Sequence, residues 1–109
     1  MEETLKHTPE TLRDAVIGVL RTIYDPEIPV NIYELGLVYD IDIDTELNVR
    51  ITMTMTAPDC PEAEYMLRDV REMVGYISGV KSVEVELTFD PPWTPDKLSE
   101  ATKLDLGML

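Results

Sequence analysis

The chain has 109 residues, enough for one domain with a single modest core and too few for a second domain with its own cofactor fold. Its formal net charge of -13 repels phosphate backbones and anionic lipids, which argues against nucleic acids and membranes as partners. No apolar stretch reaches the roughly 18 residues of a membrane span, and the N-terminal residues 1–10 are polar and acidic. These features predict a soluble, cytoplasmic protein whose single domain spans residues 1–109.

A first helix is predicted near the N-terminus, because apolar residues recur there every three or four positions. Thr8 is the predicted N-cap, followed by Pro9 at the first helical position and Glu10 in the first turn. The apolar stripe of this helix comprises Leu12, Ala15, Val16, Val19, Leu20 and Ile23.

A loop and a β-hairpin are expected next. Pro26 and Pro29 cannot continue a helix, and residues 31–36 resemble a short capping box closed by a glycine. Two segments with a period of two follow and are joined through residues 44–46, which predicts an antiparallel hairpin with one buried face and one solvated face. Their apolar positions are Leu37, Tyr39, Ile41 and Ile43 in the first segment and Leu47, Val49, Ile51, Met53 and Met55 in the second.

The pattern of apolar residues in the second half of the chain predicts a helix, a strand and a short terminal helix. Gly79 is a plausible stop for the middle helix, and the pair Pro91-Pro92 ends the strand. Residues 94–107 suggest the terminal helix. The order α-β-β-α-β plus this C-terminal helix predicts the α+β class, with helices on one face of a three-stranded antiparallel or mixed sheet. The apolar positions are Ala63, Met66, Leu67, Val70, Val74 and Ile77 in the helix and Val83, Val85, Leu87 and Phe89 in the strand.

Cys60 is the single cysteine, which excludes an internal disulfide and a four-cysteine zinc site. Proline follows it as proline follows Thr8 and Thr94, so Cys60 is predicted to cap the second helix, although cysteine is a poor capping residue. A helix N-terminus favours the thiolate, the form that binds metals and attacks sulfur. Alternatively, Asp59 caps this helix and the neighbouring acids oppose the thiolate, or Cys60 is simply a small buried hydrophobe.

Three acids and one aromatic ring are further candidates. Asp25, Glu27 and Glu34 lie in and after the proline loop, where carboxylates serve either as acids, bases and oxygen ligands or as loop and capping residues. Trp93 adjoins a proline pair and either covers the core or presents an interaction surface. His7 lies in the N-terminal tail, which argues against a cysteine–histidine hydrolase. We predict that the core, rather than a sulfur-rich metal site, contains Met53, Met55, Met66 and Met73.

Three motifs carry a resemblance that covers nearly the whole chain. They are Asp25-Pro26-Glu27-Ile28-Pro29 with residues 32–38, Thr54-Met55-Thr56-Ala57-Pro58-Asp59-Cys60-Pro61, and Pro91-Pro92-Trp93-Thr94-Pro95 with Leu106-Gly107. In this order they resemble the iron-sulfur cluster assembly accessory proteins, and the absence of the cysteine-rich tail of PaaD-like members favours a SufT-like protein. The resemblance implies an α+β domain similar to iron-sulfur scaffold domains. The family's characteristic cysteine falls on Cys60, its threonine on Thr56, and the acids of its first motif on Asp25 and Glu27.

The resemblance implies a non-enzymatic factor that binds iron or an iron-sulfur cluster transiently through Cys60, with Asp25 and Glu27 as further candidate ligands. Its implied partners are the assembly machinery and the recipient apoproteins. A cluster takes four thiolates, so the second subunit of a homodimer, small thiols or the recipient must complete the set. If acids and thiol form one site, Asp25 or Glu27 lies within roughly 8 Å of the Cys60 sulfur.

Two other functions remain open at the level of the sequence. In the first, the chain is a pure interaction module in which Cys60 is structural and the region of Trp93 docks partners. In the second, the chain is a sulfur-transfer protein that works through a persulfide on Cys60. Iron and sulfide analysis of the wild type and of Cys60→Ser separates the three, because an adaptor binds neither and a sulfur carrier binds sulfur without iron.

Overall fold

The computed structural model describes residues 7–25, 28–56 and 63–107. Within them the predicted order of elements and the predicted α+β class are confirmed. The elements are α1 (Pro9–Leu20), β1 (Val38–Ile43), β2 (Asn48–Met53), α2 (Ala63–Gly75), β3 (Ser82–Leu87), a single 3-10 turn (Pro95–Lys97) and α3 (Glu100–Asp105).

The three strands form one mixed sheet in the order β1-β2-β3. β1 pairs antiparallel with β2, and β2 pairs parallel with β3. The parallel pair requires a crossover, which α2 supplies between the two strands. As a result, the carboxyl ends of β2 and β3 and the amino end of β1 meet at one edge of the sheet.

One face of the sheet carries the core, as the alternation predicted. α1 packs on β1 and on α2, and α2 packs on β3. The inward residues Ile41, Val49 and Ile51 are buried, whereas the outward residues Asp42 and Arg50 are exposed. The largest fully buried side chains are Leu12, Leu20, Ile32, Leu35, Leu37, Ile51, Met53, Met55, Val16, Val49, Val70 and Val74.

The start of α1 has the capping residues that the sequence predicts. Thr8 is the N-cap, its hydroxyl accepts a hydrogen bond from the Thr11 N–H at 3.2 Å, and Pro9 occupies the first turn. The Thr11 hydroxyl in turn accepts from the Thr8 N–H at 2.9 Å, which completes a reciprocal capping box. The predicted beginning of this helix is therefore confirmed down to its cap.

The end of the hairpin departs from the predicted alternation at Leu47. This residue precedes β2 and adopts φ 69, in the left-handed region, because its N–H closes a turn on the Asp44 carbonyl at 3.0 Å. The Asp44 carboxylate holds the same turn, accepting from the side chain of Asn48 at 3.0 Å and from the N–H groups of Asn48 and Glu46 at 2.9 Å each. The hydrogen bonds from Asn48, the side-chain one above all, hold the pKa of Asp44 below its ordinary value.

Two further expectations need correction. The terminal helix does not run continuously from residue 94: Leu98 adopts extended geometry between the 3-10 turn and α3, where its side chain is buried. Met73, which is predicted to lie in the core, is 42% exposed because it lies at the margin of the apolar face of α2. The other three methionines of that prediction are buried: Met53, Met55 and Met66.

Candidate functional site

The candidate site is the sheet edge at which β2 and β3 end and β1 begins. The Thr54 N–H, just past β2, donates to the Leu37 carbonyl at 2.8 Å, and the Thr88 N–H, just past β3, donates to the Met53 carbonyl at 2.9 Å. The Leu37 N–H donates to the Ile32 carbonyl at 3.1 Å, which joins the segment between α1 and β1, called the first loop below, to the same place. The segment that leads to Cys60 therefore starts between the first loop and the exit of β3.

The first loop folds back as a narrow hairpin. Tyr24 and Asn31 form an antiparallel bridge, and the Ile32 N–H donates to the Ile23 carbonyl at 2.8 Å. Asp25 lies at the neck of this hairpin with only 6% of its surface exposed. Its Oδ2 accepts a hydrogen bond from the Ile28 N–H at 2.9 Å, so the carboxylate ties the two sides of the neck together.

Thr54 is a feature of this edge that the sequence reasoning did not include among the site residues. The period of β2 places it on the solvated face, yet its side chain is completely buried. Within the described residues its Oγ1 has no hydrogen-bond partner. A buried hydroxyl without a partner is costly, so its presence here requires an explanation. The signal available in the sequence was its place beside Thr56 in the second motif; Thr56 itself is half-buried.

Trp93 joins the exit of β3 to the first loop. Its Nε1–H donates to the Leu35 carbonyl at 2.6 Å, and its half-buried ring packs against the core. Beside it, the Tyr39 hydroxyl donates to the Pro91 carbonyl at 2.6 Å. Trp93 thus covers part of the core, and its predicted role in docking a partner stays a prediction.

Gly36 allows the C-terminal segment to approach this edge. It has φ +78, and a Cβ at this position would lie 3.1 Å from the Cβ of Lys97. The Lys97 ammonium in turn lies 4.9 Å from the centre of the Tyr39 ring, in a cation–π contact. The glycine predicted to close the turn therefore also permits the close approach of Lys97.

Glu34 belongs to the surface of the first loop. Its carboxylate pairs with Arg21 at 3.6 Å, and the Arg21 guanidinium lies over the Tyr33 ring at 5.1 Å. The Glu34 N–H donates to the Asn31 side-chain oxygen at 2.9 Å, as the predicted cap requires. These contacts direct the Glu34 side chain toward the end of α1 and give it a structural role.

Cys60 and Glu27 lie outside the described residues, as does the residue that caps α2. The predicted approach of Asp25 or Glu27 to the Cys60 sulfur therefore stays a prediction. Among residues 7–25, 28–56 and 63–107, no group of three or more His, Cys, Asp and Glu side chains could hold a metal ion. In the same part of the chain, no helix is long and apolar enough to cross a membrane.

A groove borders the first loop on the side of α3. It has a volume of about 450 Å³ and lies beside the neck of the loop, between Asn31 and Leu106. Glu34 and Asp105 contribute carboxylates to its wall. The groove between the first loop and α3 is therefore partly acidic.

The sequence and the fold have clear relatives. Residues 13–87 match the family described as "Iron-sulfur cluster assembly protein". The "Fe-S protein maturation auxiliary factor" of Porphyromonas gingivalis is 50% identical over 94 residues, covering 86% of this chain and 90% of that protein. The "Fe-S protein maturation auxiliary factor YitW" of Bacillus subtilis is 40% identical over 99 residues, covering 91% and 97%.

The fold agrees with a solved structure from the same group. The crystal structure of the "Domain of Unknown Function DUF59" from Bacillus anthracis superposes with a TM-score of 0.84 at 35% identity, covering 93% of this chain and 96% of that one. The chain belongs to the iron-sulfur cluster assembly protein family.

Proposed function

We propose that this protein is a non-enzymatic accessory factor for the maturation of iron-sulfur proteins in the cytoplasm. It receives iron or an iron-sulfur cluster transiently at Cys60 and passes it to recipient apoproteins. The observation that carries the proposal is membership of the family, together with two relatives that span almost the same length and are both called Fe-S protein maturation auxiliary factors.

The chemistry of the proposed cargo fits a transient role for one thiol. A cluster is held by four thiolates, and one chain supplies only Cys60. The remaining ligands come from a second subunit, from small thiols or from the recipient itself. A cluster held in this way leaves easily, as a delivery factor requires. Asp25, Glu27 and Thr56 are proposed to line the same site.

The end of the sheet at which β2 and β3 finish supports this proposal, because it holds Thr54, the first residue of the motif that contains Cys60. Hydrogen bonds from Thr54 to Leu37 and from Trp93 to Leu35 join the beginning of the motif and the exit of β3 to the same stretch of chain. The three motifs, which are far apart in the sequence, thus meet at one end of the sheet. A site for cargo that is formed by several segments requires this convergence.

Anaerobic purification tests the proposal directly. The wild type is incubated anaerobically with ferrous iron, sulfide and glutathione, which supplies the missing thiolates, and protein-bound iron and acid-labile sulfide are measured after rapid desalting into buffer that contains glutathione. We expect the wild type to retain both and Cys60→Ser to retain neither, because serine is a poor ligand for soft metal-sulfur centres.

Other results would assign a different role to the thiol. Sulfane sulfur on the wild type purified without reductant or added sulfide, detected by its release as thiocyanate with cyanide and accompanied by no iron, would indicate a persulfide carrier. A wild type that binds neither, and a Cys60→Ser variant that still supports enzyme maturation, would indicate an adaptor. Substituting Asp25 by Asn, after its fold has been verified by circular dichroism, shows whether that carboxylate belongs to the site.

A further inference from the structure

β3 is the last strand of the sheet, and in the described part of the chain no strand pairs with the side of β3 that faces away from β2. This lateral edge is distinct from the end of the sheet that forms the candidate site. Among the described helices and strands, β3 contacts only β2 and α2. The Thr88 N–H donates to Met53, which is the register partner of Leu87. In a parallel ladder alternate residues face the neighbouring strand, so Val83, Val85 and Leu87 direct their backbone N–H and C=O groups away from the sheet.

The side chains along this edge are incompletely covered. Val83 and Val85 lie on the core side of the sheet but are only half-buried, whereas Ile51, the β2 partner of Val85, is fully buried. Leu87 and Phe89 at the end of the strand are 37% and 39% exposed. A fourth strand beside β3 would cover this apolar row and satisfy the outward backbone groups.

On the face of the sheet that points away from the core, β3 carries acidic side chains. Glu84 and Glu86 are exposed and stand in register with β2 and, beyond it, with Asp42 and Asp40. The one cation of this row, Arg50, lies 3.5 Å from Glu84. A strand added beside β3 would place its outward side chains next to Glu84 and Glu86, where basic side chains are favoured.

A second copy of this chain does not fit the edge. Antiparallel pairing of two β3 strands about Val85 would place Glu84 of each copy opposite Glu86 of the other, which is destabilising. The formal charge of -13 on each copy adds repulsion between the molecules. The occupant that fits must carry positive charge.

We propose that the open edge of β3 binds an extended segment of a partner protein, in which Lys or Arg alternates with β-branched apolar residues, as a fourth strand of the sheet. The apolar side chains of that segment pack beside Val83, Val85 and Leu87, and its basic side chains face Glu84 and Glu86. The proposal goes beyond the maturation role and does not depend on Cys60. Its test uses neither iron nor sulfide, so its failure leaves the maturation role untouched.

Amide hydrogen exchange followed by NMR tests the edge with a capped peptide of alternating lysine and valine. In the full-length protein alone, the amides of Glu84, Glu86 and Thr88 are expected to be protected by β2, whereas those of Val83, Val85 and Leu87 exchange freely. The peptide should protect the second set without altering the first. A peptide of the same sequence, N-methylated at alternate residues on its pairing edge, cannot complete the ladder and should not bind.

Matched charge variants separate strand pairing from general attraction. Glu84→Lys with Glu86→Lys should weaken binding of the lysine–valine peptide by about tenfold or more, because two attractive cross-strand pairs become repulsive. Asp14→Lys with Glu100→Lys makes the same change in net charge at exposed positions of α1 and α3 and should leave affinity nearly unchanged. Equal losses in the two variants, equal binding of the N-methylated peptide, or unchanged exchange at Val83, Val85 and Leu87 would overturn the proposal.

Discussion

Thr54 connects the stability of the fold to the candidate site. Its hydroxyl is buried without a hydrogen-bond partner among the described residues, and its backbone N–H binds Leu37. Thr56, two residues further, begins the segment that leads to Cys60. We interpret the buried hydroxyl as a group that contributes to the site at some cost to the fold.

Replacing Thr54 by Val tests this interpretation, because Val has nearly the same shape and carries no hydroxyl. We expect Thr54→Val to raise the free energy of unfolding by about 1 kcal/mol, since the desolvation cost of an unpaired hydroxyl is removed. The same variant should lower iron and sulfide retention in the anaerobic assay. Thr52→Val, on the half-buried outward side of β2, is the matched control. A loss of stability on Thr54→Val would show that the hydroxyl is satisfied in the native protein.

At the scale of elements, the hairpin turn depends on one charged side chain. The Asp44 carboxylate accepts three hydrogen bonds from Glu46 and Asn48, and those from Asn48, its side-chain amide first, lower the pKa of Asp44. The turn also holds Leu47 in the left-handed region, where a leucine is strained. The carboxylate therefore helps to hold a turn that the backbone alone would not favour.

The pH dependence of Asp44→Asn follows from the sign of that pKa shift. A carboxyl whose pKa is lowered by folding stabilises the native state above its unfolded-state pKa of about 4, and this contribution is lost as the pH falls through the folded-state pKa. We expect the wild type to be more stable than Asp44→Asn at neutral pH and the difference to shrink below about pH 4. Urea melts across this range measure it. A difference in unfolding free energy that stays constant into strong acid contradicts the assignment.

At the scale of the whole molecule, local patterns predicted the elements well and their ends less well. The apolar stripe of α1 and the alternation of β2 were sufficient to predict these two elements, because each element presents one apolar face. Leu47 breaks that alternation because a local turn on Asp44 holds it in the left-handed region. Thr54 breaks it at a point where the chain is joined to Leu37, which is distant in sequence. The extended geometry at Leu98 likewise follows from burial of its side chain, which no local pattern encodes.

The candidate site was predictable in part. The three motifs indicated which segments carry it, and the described sheet edge shows how the fold brings their flanks together. Contacts that single motifs do not specify, such as the hydrogen bond from Trp93 to Leu35, could be found only in the structure. The approach of Asp25 and Glu27 to Cys60 remains a prediction.

The Cys60 thiol is the group proposed to carry the maturation role. The most direct test measures iron-sulfur enzyme activity in cells that lack the native factor and express either the wild type or Cys60→Ser, alongside denaturant melts of both purified proteins. If Cys60 caps α2, as the sequence predicts, serine at this position should leave the fold equally stable or more stable by a few tenths to about 1 kcal/mol, while iron-sulfur enzyme activity is lost. A Cys60→Ser variant that is destabilised by roughly 1 to 3 kcal/mol and still restores full activity would show that the thiol serves only core packing.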